Sequence, residues 1–83
     1  MYSIEFSETA KKQLDKLDIQ LRKRIIQSLE RIKIRPYHFI KRKEGTPYFI
    51  FRVGNYRLIL RIENNKLLIF VLEVEHRKNI YKR

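Results

Sequence analysis

The sequence predicts an α+β fold with the element order β-α-α-β-β-β, in which an antiparallel helical hairpin packs on one face of a small, mainly antiparallel twisted sheet. Apolar residues alternate at the start of the chain and then recur at helical spacing through two successive segments. They alternate again in the second half, between turns that contain Gly and Asn. A chain of 83 residues forms one small core, so a single domain over 1–83 is expected.

The first half of the chain carries the predicted helices. A short strand is expected over 2–6, where apolar and polar residues alternate. Ser7 is the predicted N-cap of a helix over 8–17, and Asp18 is the predicted N-cap of a second helix over 19–34. Apolar residues follow each cap at helical spacing, so each helix has one side to bury.

The second half carries the predicted sheet. Pro36 ends the second helix, because proline disfavours the helical conformation in the residue before it. A loop over 37–47 follows. Strands are predicted over 48–53, 56–63 and 66–75. Gly54-Asn55 and Asn64-Asn65 form the turns, as residues that tolerate positive φ. The last strand is apolar on both faces over 67–72, so it should be central and covered on both sides.

The charge of the chain indicates a polyanionic partner. Twenty Lys and Arg against nine Asp and Glu leave a net charge of +11, and 43% of the residues are hydrophobic. Between Arg31 and Arg61 there are nine cations and one acid, Glu44. Nucleic acid, a ribosome surface or an acidic protein fits this charge. A solvated basic face without a partner is the alternative.

Several other classes are disfavoured. The longest apolar run, 67–72, has six residues, far below the ~20 that span a bilayer, so no membrane partner is expected. The chain has no cysteine, which excludes disulfides and cysteine-based metal sites. The N-terminus shows no signal peptide, which makes a cytoplasmic location the expectation. No metal or cofactor motif is present.

The candidate site residues are basic and aromatic. Arg57 and Arg61 should project from the sheet face opposite the helices, with Glu73 and Glu75 balancing them across the sheet. His76 could move a proton, and His38 is a weaker candidate for the same task. Two sets follow. The catalytic set is Arg57, His76, Arg77 and Tyr81. The RNA-binding set is Lys41, Arg42, Lys43, Arg52, Arg61 and Lys78.

Two motifs carry a resemblance to a known family. Arg-Val-Gly-Asn-Tyr-Arg stands at the turn over 52–57, and His-Arg-Lys-Asn-Ile-Tyr stands at 76–81. In this order the chain resembles the RelE/ParE toxin superfamily along its whole length. The resemblance implies the toxin of a type II toxin–antitoxin module with a cognate acidic antitoxin, assembled as a hetero-oligomer. RelE-like members cleave messenger RNA in the ribosomal A site, whereas ParE-like members inhibit DNA gyrase.

The resemblance also implies roles for particular residues. Arg57 matches the phosphate-binding arginine, and Arg77 matches the arginine that assists the leaving group. Tyr81 matches the tyrosine that stacks on the nucleotide, although it could instead anchor the C-terminal tail. RelE-like enzymes carry lysines on the strand before the turn, where Arg52 is the only cation here. The base could instead be Lys41, Lys43, Arg52 or His76. A metal-independent endoribonuclease is the favoured expectation, with gyrase inhibition and nucleic-acid binding without activity as alternatives.

Overall fold

Five strands and two α-helices make up the part of the chain that the computed structural model describes, residues 1–76. The strands and helices are, in order, β1 (Ser3–Phe6), α1 (Glu8–Asp15), α2 (Ile19–Ile32), β2 (Lys41–Arg42), β3 (Phe49–Val53), β4 (Tyr56–Glu63) and β5 (Leu68–His76). Short 3₁₀ turns cover Pro36–His38 and Asn64–Lys66. No helix within residues 1–76 is long and apolar enough to cross a membrane.

Both helices begin at the predicted caps. The Ser7 hydroxyl accepts a hydrogen bond from the Ala10 amide at 2.9 Å, and an Asp18 carboxylate oxygen accepts one from the Leu21 amide at 2.9 Å. Each side chain satisfies an amide that the first helical turn leaves without a partner. Both helices end two residues earlier than predicted. The amides of Lys16 and Lys33 donate to carbonyls three residues back, which tightens and closes the last turn.

The strands form one mixed sheet in the order β1-β5-β4-β3-β2. β1 runs parallel to β5, and the other neighbouring pairs are antiparallel. β5 therefore lies inside the sheet between β1 and β4, as its apolar sequence predicts, although β4 is the middle strand. The prediction of a loop over 37–47 was incomplete, because Lys41 and Arg42 pair with Ile50 and Phe49 as β2. Two charged residues carry no alternating pattern, so only the pairing with β3 defines this strand.

One face of the sheet holds the core. Ala10 and Leu14 of α1 and Ile25 and Leu29 of α2 are buried against this face. The sheet contributes the following buried side chains to the same cluster: Phe51, Val53, Leu58, Leu60, Ile69, Val71 and Val74. We call the opposite side the open face. Because strand residues alternate between faces, the open face carries Arg57, Ile59 and Arg61 of β4.

Two details of β5 and its preceding turn differ from the prediction. Ile69 and Val71 are fully buried, but Phe70 and Leu72 on the open face are only half-buried, so β5 is not covered equally on both sides. Both helices pack on the core face, which leaves those side chains at the surface. In the turn, the positive φ belongs to Leu67 at 48°, not to Asn64 or Asn65, because a 3₁₀ turn occupies the two asparagines. Gly54 has the predicted positive φ, at 58°.

A β-bulge in β5 decides which side chains reach the open face. Ile59 pairs with Glu73, but the next residue of β4, Leu60, pairs with Val71, so Leu72 is an extra residue in β5. The insertion shifts the alternation by one position, and Val71 and Val74 both face the core. Glu73 therefore lies on the open face with Arg57, where uninterrupted alternation from Val71 would have directed it into the core.

Candidate functional site

A depression of about 570 Å³ lies on the open face, above β4 and β5. Ile59, which is 5% exposed, and the bulge residue Leu72 give it an apolar floor. The remaining lining residues are polar or charged: Ser7, Thr9, Lys43, Thr46, Tyr48, Arg57, Glu73 and Glu75. The depression therefore combines carboxylates, cations and hydroxyl groups around an apolar floor.

Arg57 is held in place by Glu75, its cross-strand neighbour on β5. The Nε and Nη2 groups of Arg57 donate to Glu75 Oε1 at 3.2 and 3.0 Å. The side chains are 20% and 27% exposed, so the pair is largely shielded from water. A guanidinium has five N–H groups, and Glu75 uses two of them. Arg57 thus keeps donors for another anion while its position is fixed.

Glu73 is the second acid of the depression. Although the residue as a whole is exposed, partial burial of the carboxyl group raises the pKa of Glu73 above its ordinary value. The charge of Glu75 and a hydrogen bond with its side chain raise this pKa further, while the cations Arg57 and Lys43 act to lower it. A carboxylate with a raised pKa is a better proton acceptor than an ordinary surface glutamate.

Lys43 reaches the depression because the loop around it is ordered. Its amide donates to the Tyr48 carbonyl at 2.9 Å. The Thr46 hydroxyl donates to the Lys43 carbonyl at 2.8 Å and accepts from the Tyr48 amide at 3.1 Å. Gly45, at φ 75°, allows the tight turn that these bonds close. Lys43 is thus positioned by backbone hydrogen bonds at the edge of the site.

The basic residues predicted for RNA binding divide between the faces. Lys41 lies opposite Ile50 on the open face, and a second depression of about 420 Å³ is lined by Lys41, Arg42, Lys43 and Arg52, among others. Arg42 also donates to the Thr46 carbonyl at 3.3 Å and lies 5.8 Å from the centre of the Phe49 ring. Its charge is therefore partly committed to local structure.

Arg61 makes different contacts from those predicted. The expected balance between Glu75 and Arg57 is confirmed, but Glu73 does not pair with Arg61. Arg61 lies opposite Phe70, with its guanidinium 4.8 Å from the centre of that ring, and binds Glu63 at 3.0 Å. Glu73 lies opposite Ile59, and Phe70 occupies the position opposite Arg61, so neither acid of β5 faces that arginine.

The histidines do not join this site. His76 pairs with Tyr56 across the sheet, and the two rings meet edge to face with centres 4.9 Å apart. Tyr56 packs against the core cluster, so His76 lies on the face opposite Arg57. His38 lies in the 3₁₀ turn after α2. The predicted site residues Arg77, Lys78 and Tyr81 lie outside the described residues.

Comparison with known proteins identifies the family. The family model for the ParE toxin of type II toxin–antitoxin systems matches residues 4–81. The chain belongs to the ParE toxin family. The resemblance to the RelE/ParE superfamily that the two sequence motifs indicate is therefore confirmed. Toxin RelG of Mycobacterium tuberculosis is 32% identical to this ParE-family toxin over 87 aligned positions, covering 99% of this chain and 98% of that protein.

Solved structures share the fold of this ParE-family toxin. In the RelBE2 toxin–antitoxin complex of M. tuberculosis, one chain superposes with a TM-score of 0.81 at 29% identity, covering 92% of this chain and 98% of that one. In the RelB–RelE complex of Methanococcus jannaschii the TM-score is 0.72 at 30% identity, with 93% and 94% coverage. In the intact Escherichia coli RelBE complex it is 0.79 at 23% identity, with 92% and 96% coverage, which shows the common fold alone.

Sequence reasoning missed part of the toxin's site. It treated Glu73 only as a countercharge, although Glu73 lines the depression. Val71 and Val74 are both apolar and β-branched, and two residues separate them. This spacing is the one sequence signal of the bulge. That signal is weak, because the residues between them include a further apolar side chain, Leu72.

Proposed function

We propose that this ParE-family toxin is a RelE-like endoribonuclease that cleaves messenger RNA on the ribosome and so inhibits translation. One observation carries the proposal: Arg57, fixed by Glu75, lies in an open depression beside Glu73, a carboxylate with a raised pKa. An anion binder and a proton acceptor are the two groups that phosphodiester cleavage by a neighbouring hydroxyl needs first. The similarity to Toxin RelG over nearly the whole chain supports the toxin role.

In the proposed reaction the ribose 2′-oxygen attacks the adjacent phosphorus, and the bond from phosphorus to the 5′-oxygen breaks. Glu73 accepts the proton of the 2′-hydroxyl. The free N–H groups of Arg57 donate to the phosphoryl oxygens, on which negative charge grows in the transition state. The products are a 2′,3′-cyclic phosphate and a 5′-hydroxyl. The 5′-oxygen takes its proton from water, and the proton on Glu73 returns to water. The superfamily resemblance assigns stabilisation of the leaving 5′-oxygen to Arg77, which stays charged, with Tyr81 orienting the nucleotide.

This assignment replaces the base candidates that the sequence suggested. Lys41 and Arg52 line the neighbouring depression and suit phosphate binding. Lys43 is close enough to Glu73 to lower its pKa, so it suits charge compensation beside that base. His76 is not used, because it lies on the other face of the sheet. The reaction needs only side chains, and the ribosome would supply the attack geometry that so sparse a site does not impose.

Primer extension on messenger RNA from cells expressing the toxin tests the proposal. New 5′ ends should appear within coding regions, and they should disappear with Arg57→Ala and with Arg77→Ala at equal expression. Lys12→Gln, an exposed substitution on α1, is the control that should keep cleavage. Growth arrest with a DNA-damage response and intact messenger RNA would instead establish the rival activity, inhibition of DNA gyrase.

We also propose an acidic antitoxin as the cognate partner, in a cytoplasmic hetero-oligomer. The similar chains of M. tuberculosis and M. jannaschii come from toxin–antitoxin complexes, and a net charge of +11 favours an acidic segment. Association should slow as salt rises, because screening weakens attraction between exposed charges. Stopped-flow mixing at several salt concentrations measures this, and a salt-independent on-rate would contradict the electrostatic part.

A further inference from the structure

A second cleft, of about 560 Å³, lies between α2 and β3, away from the depression at Arg57. Its helical wall is a single stripe at i, i+3, i+4 and i+7, formed by Arg24, Gln27, Ser28 and Arg31. Its floor is apolar, and the opposite wall includes Arg52 and Gly54. Because β2 pairs only with Phe49 and Ile50, the outer edge of β3 beyond Ile50 has no partner strand within residues 1–76, although its other edge pairs with β4.

The charges around the cleft are all positive. Arg24, Arg31 and Arg52 are exposed, and no Asp or Glu within residues 1–76 lines the cleft. The ion pairs of the described part of the chain do not include any of these three arginines. Arg24 and Arg31 are about 10.5 Å apart along the helix axis. Two guanidinium groups on the same side of the helix therefore present positive charge along the length of the cleft.

Two contacts give the cleft a defined shape. The Arg24 guanidinium lies against Gly54, where an added Cβ would be 3.0 Å from Nη1. The absence of a side chain at Gly54 therefore lets Arg24 rest on the β3–β4 turn. At the other end Phe39, which is 49% exposed, lines both this cleft and the depression beside Lys41. Arg52 also lines both, so the cleft adjoins a depression on the open face whose charged lining residues are four cations and one acid, Glu44.

We propose that this cleft binds the phosphodiester backbone of single-stranded RNA that flanks the segment held at Arg57, with Phe39 offering a stacking surface for one base. The proposal rests on RNA being the substrate, as proposed above. Guanidinium groups bind phosphate oxygens bidentately, and exposed aromatic rings stack on unpaired bases. RNA suits the cleft better than an acidic peptide does, because Arg52 joins the cleft to the depression beside Lys41, and that depression shares Lys43 with the one at Arg57.

Salt-dependent binding of a 2′-O-methyl RNA oligonucleotide tests this, because such RNA lacks the attacking hydroxyl and binding is measured without cleavage. The cleft variant is Arg24→Gln with Arg31→Gln. The control, Lys12→Gln with Lys23→Gln, removes the same charge from exposed positions of the two helices outside the cleft. Each lost phosphate contact lowers the slope of log affinity against log salt by about 0.7, so the cleft variant should lose about 1.4 and the control nothing.

Three results would overturn the cleft assignment. The first is a cleft variant, folded by circular dichroism, that keeps the wild-type slope. The second is a control that loses as much slope as the cleft variant. The third is a cleft variant that keeps RNA binding but loses affinity for an acidic antitoxin peptide, which would make the cleft a protein-docking surface.

Cleavage of ribosome-bound messenger RNA, measured on the same proteins, separates this inference from the proposed function. If the wild-type toxin binds the oligonucleotide through the cleft but never cleaves messenger RNA, the nuclease assignment is wrong and RNA binding by the cleft is supported. If the wild-type toxin cleaves messenger RNA but the cleft variant keeps the wild-type salt slope, the RNA-binding assignment of the cleft is wrong and the nuclease assignment stands.

Discussion

Arg57 donates two hydrogen bonds to a single carboxylate oxygen of Glu75, at 3.2 and 3.0 Å, from the middle of the sheet across to its neighbouring strand. The same arginine lies opposite Arg52 on its other side. Like charges on facing strands repel each other, and the negative charge of Glu75 offsets the repulsion between Arg52 and Arg57 in the β3–β4 hairpin. The ion pair thus stabilises the hairpin end and aims the guanidinium into the depression.

The first prediction concerns this pair. Arg57→Ala should reduce RNA cleavage by about 100-fold or more, because it removes donors to the transition-state charge. Glu75→Gln should reduce cleavage by about tenfold, equal to about 1.4 kcal/mol, since Arg57 remains but is held less firmly. Glu63→Gln, at the partner of Arg61, is the matched control and should keep the wild-type rate. Single-turnover cleavage on programmed ribosomes measures all three, and equal losses in the two glutamate variants would contradict the positioning role.

The second prediction concerns the pH dependence of the rate. Glu73 accepts a proton only when it is ionised, so the rate should rise with pH through the raised pKa of Glu73 and then level off. Glu73→Gln should lower the plateau and abolish that rise. A pH–rate profile measured from single-turnover cleavage distinguishes this from a structural effect, which would lower the rate equally at every pH.

The third prediction concerns stability at the same residue. Because the pKa of Glu73 is raised in the folded state, its contribution to stability is greatest below the unfolded pKa and falls as pH rises through the folded pKa. Glu73→Gln should therefore stabilise the fold slightly at pH 7, by no more than about 0.5 kcal/mol at this exposed site, with no gain in acid. Thermal unfolding measured at pH 7 and at an acidic pH below the unfolded pKa of Glu73 tests this. Glu44→Gln is the control for removal of a negative charge.

The fourth prediction concerns Asn64, which joins three segments. Its side-chain oxygen accepts hydrogen bonds from the hydroxyls of Tyr2 at 2.8 Å and Tyr37 at 2.9 Å. These bonds link the N-terminus, the turn after α2 and the β4–β5 turn. Asn64→Ala should cost about 1 kcal/mol in urea unfolding. Asn65→Ala, at an exposed neighbour in the same turn, should change stability less, and an equal loss would assign the effect to the turn itself.

The fifth prediction separates backbone strain from a side-chain contact. Gly45 and Gly54 both have positive φ, at 75° and 58°, so an alanine at either position should cost roughly 1–2 kcal/mol. An added Cβ meets nothing within 4 Å at Gly45 but meets Arg24 at Gly54. Gly54→Ala should therefore also weaken binding of the 2′-O-methyl RNA, while Gly45→Ala should not. Urea unfolding and RNA titration of the two variants provide the comparison.

Local signals in the sequence determined much of this fold. The caps at Ser7 and Asp18, the turn at Gly54 and the helical stripes each depend on residues within about four positions of one another, and all are present. The place of β5 inside the sheet also follows from its sequence, since strands with apolar residues on both faces are typical of the interior of a sheet. The assignment of Arg57 to phosphate binding came instead from the resemblance to the RelE/ParE superfamily, and it stays a prediction.

Only the tertiary structure decided how these elements form a site. β2 forms because two charged residues, Lys41 and Arg42, pair with β3. The bulge at Leu72 lets β5 pair with β4 while Val71 and Val74 both stay in the core. That packing brings Glu73 and Glu75 to Arg57, removes His76 to the other face, and sets the arginines of α2 beside the end of β3. Such relationships join residues distant in sequence, and their register depends on the burial of the whole sheet, which no local pattern encodes.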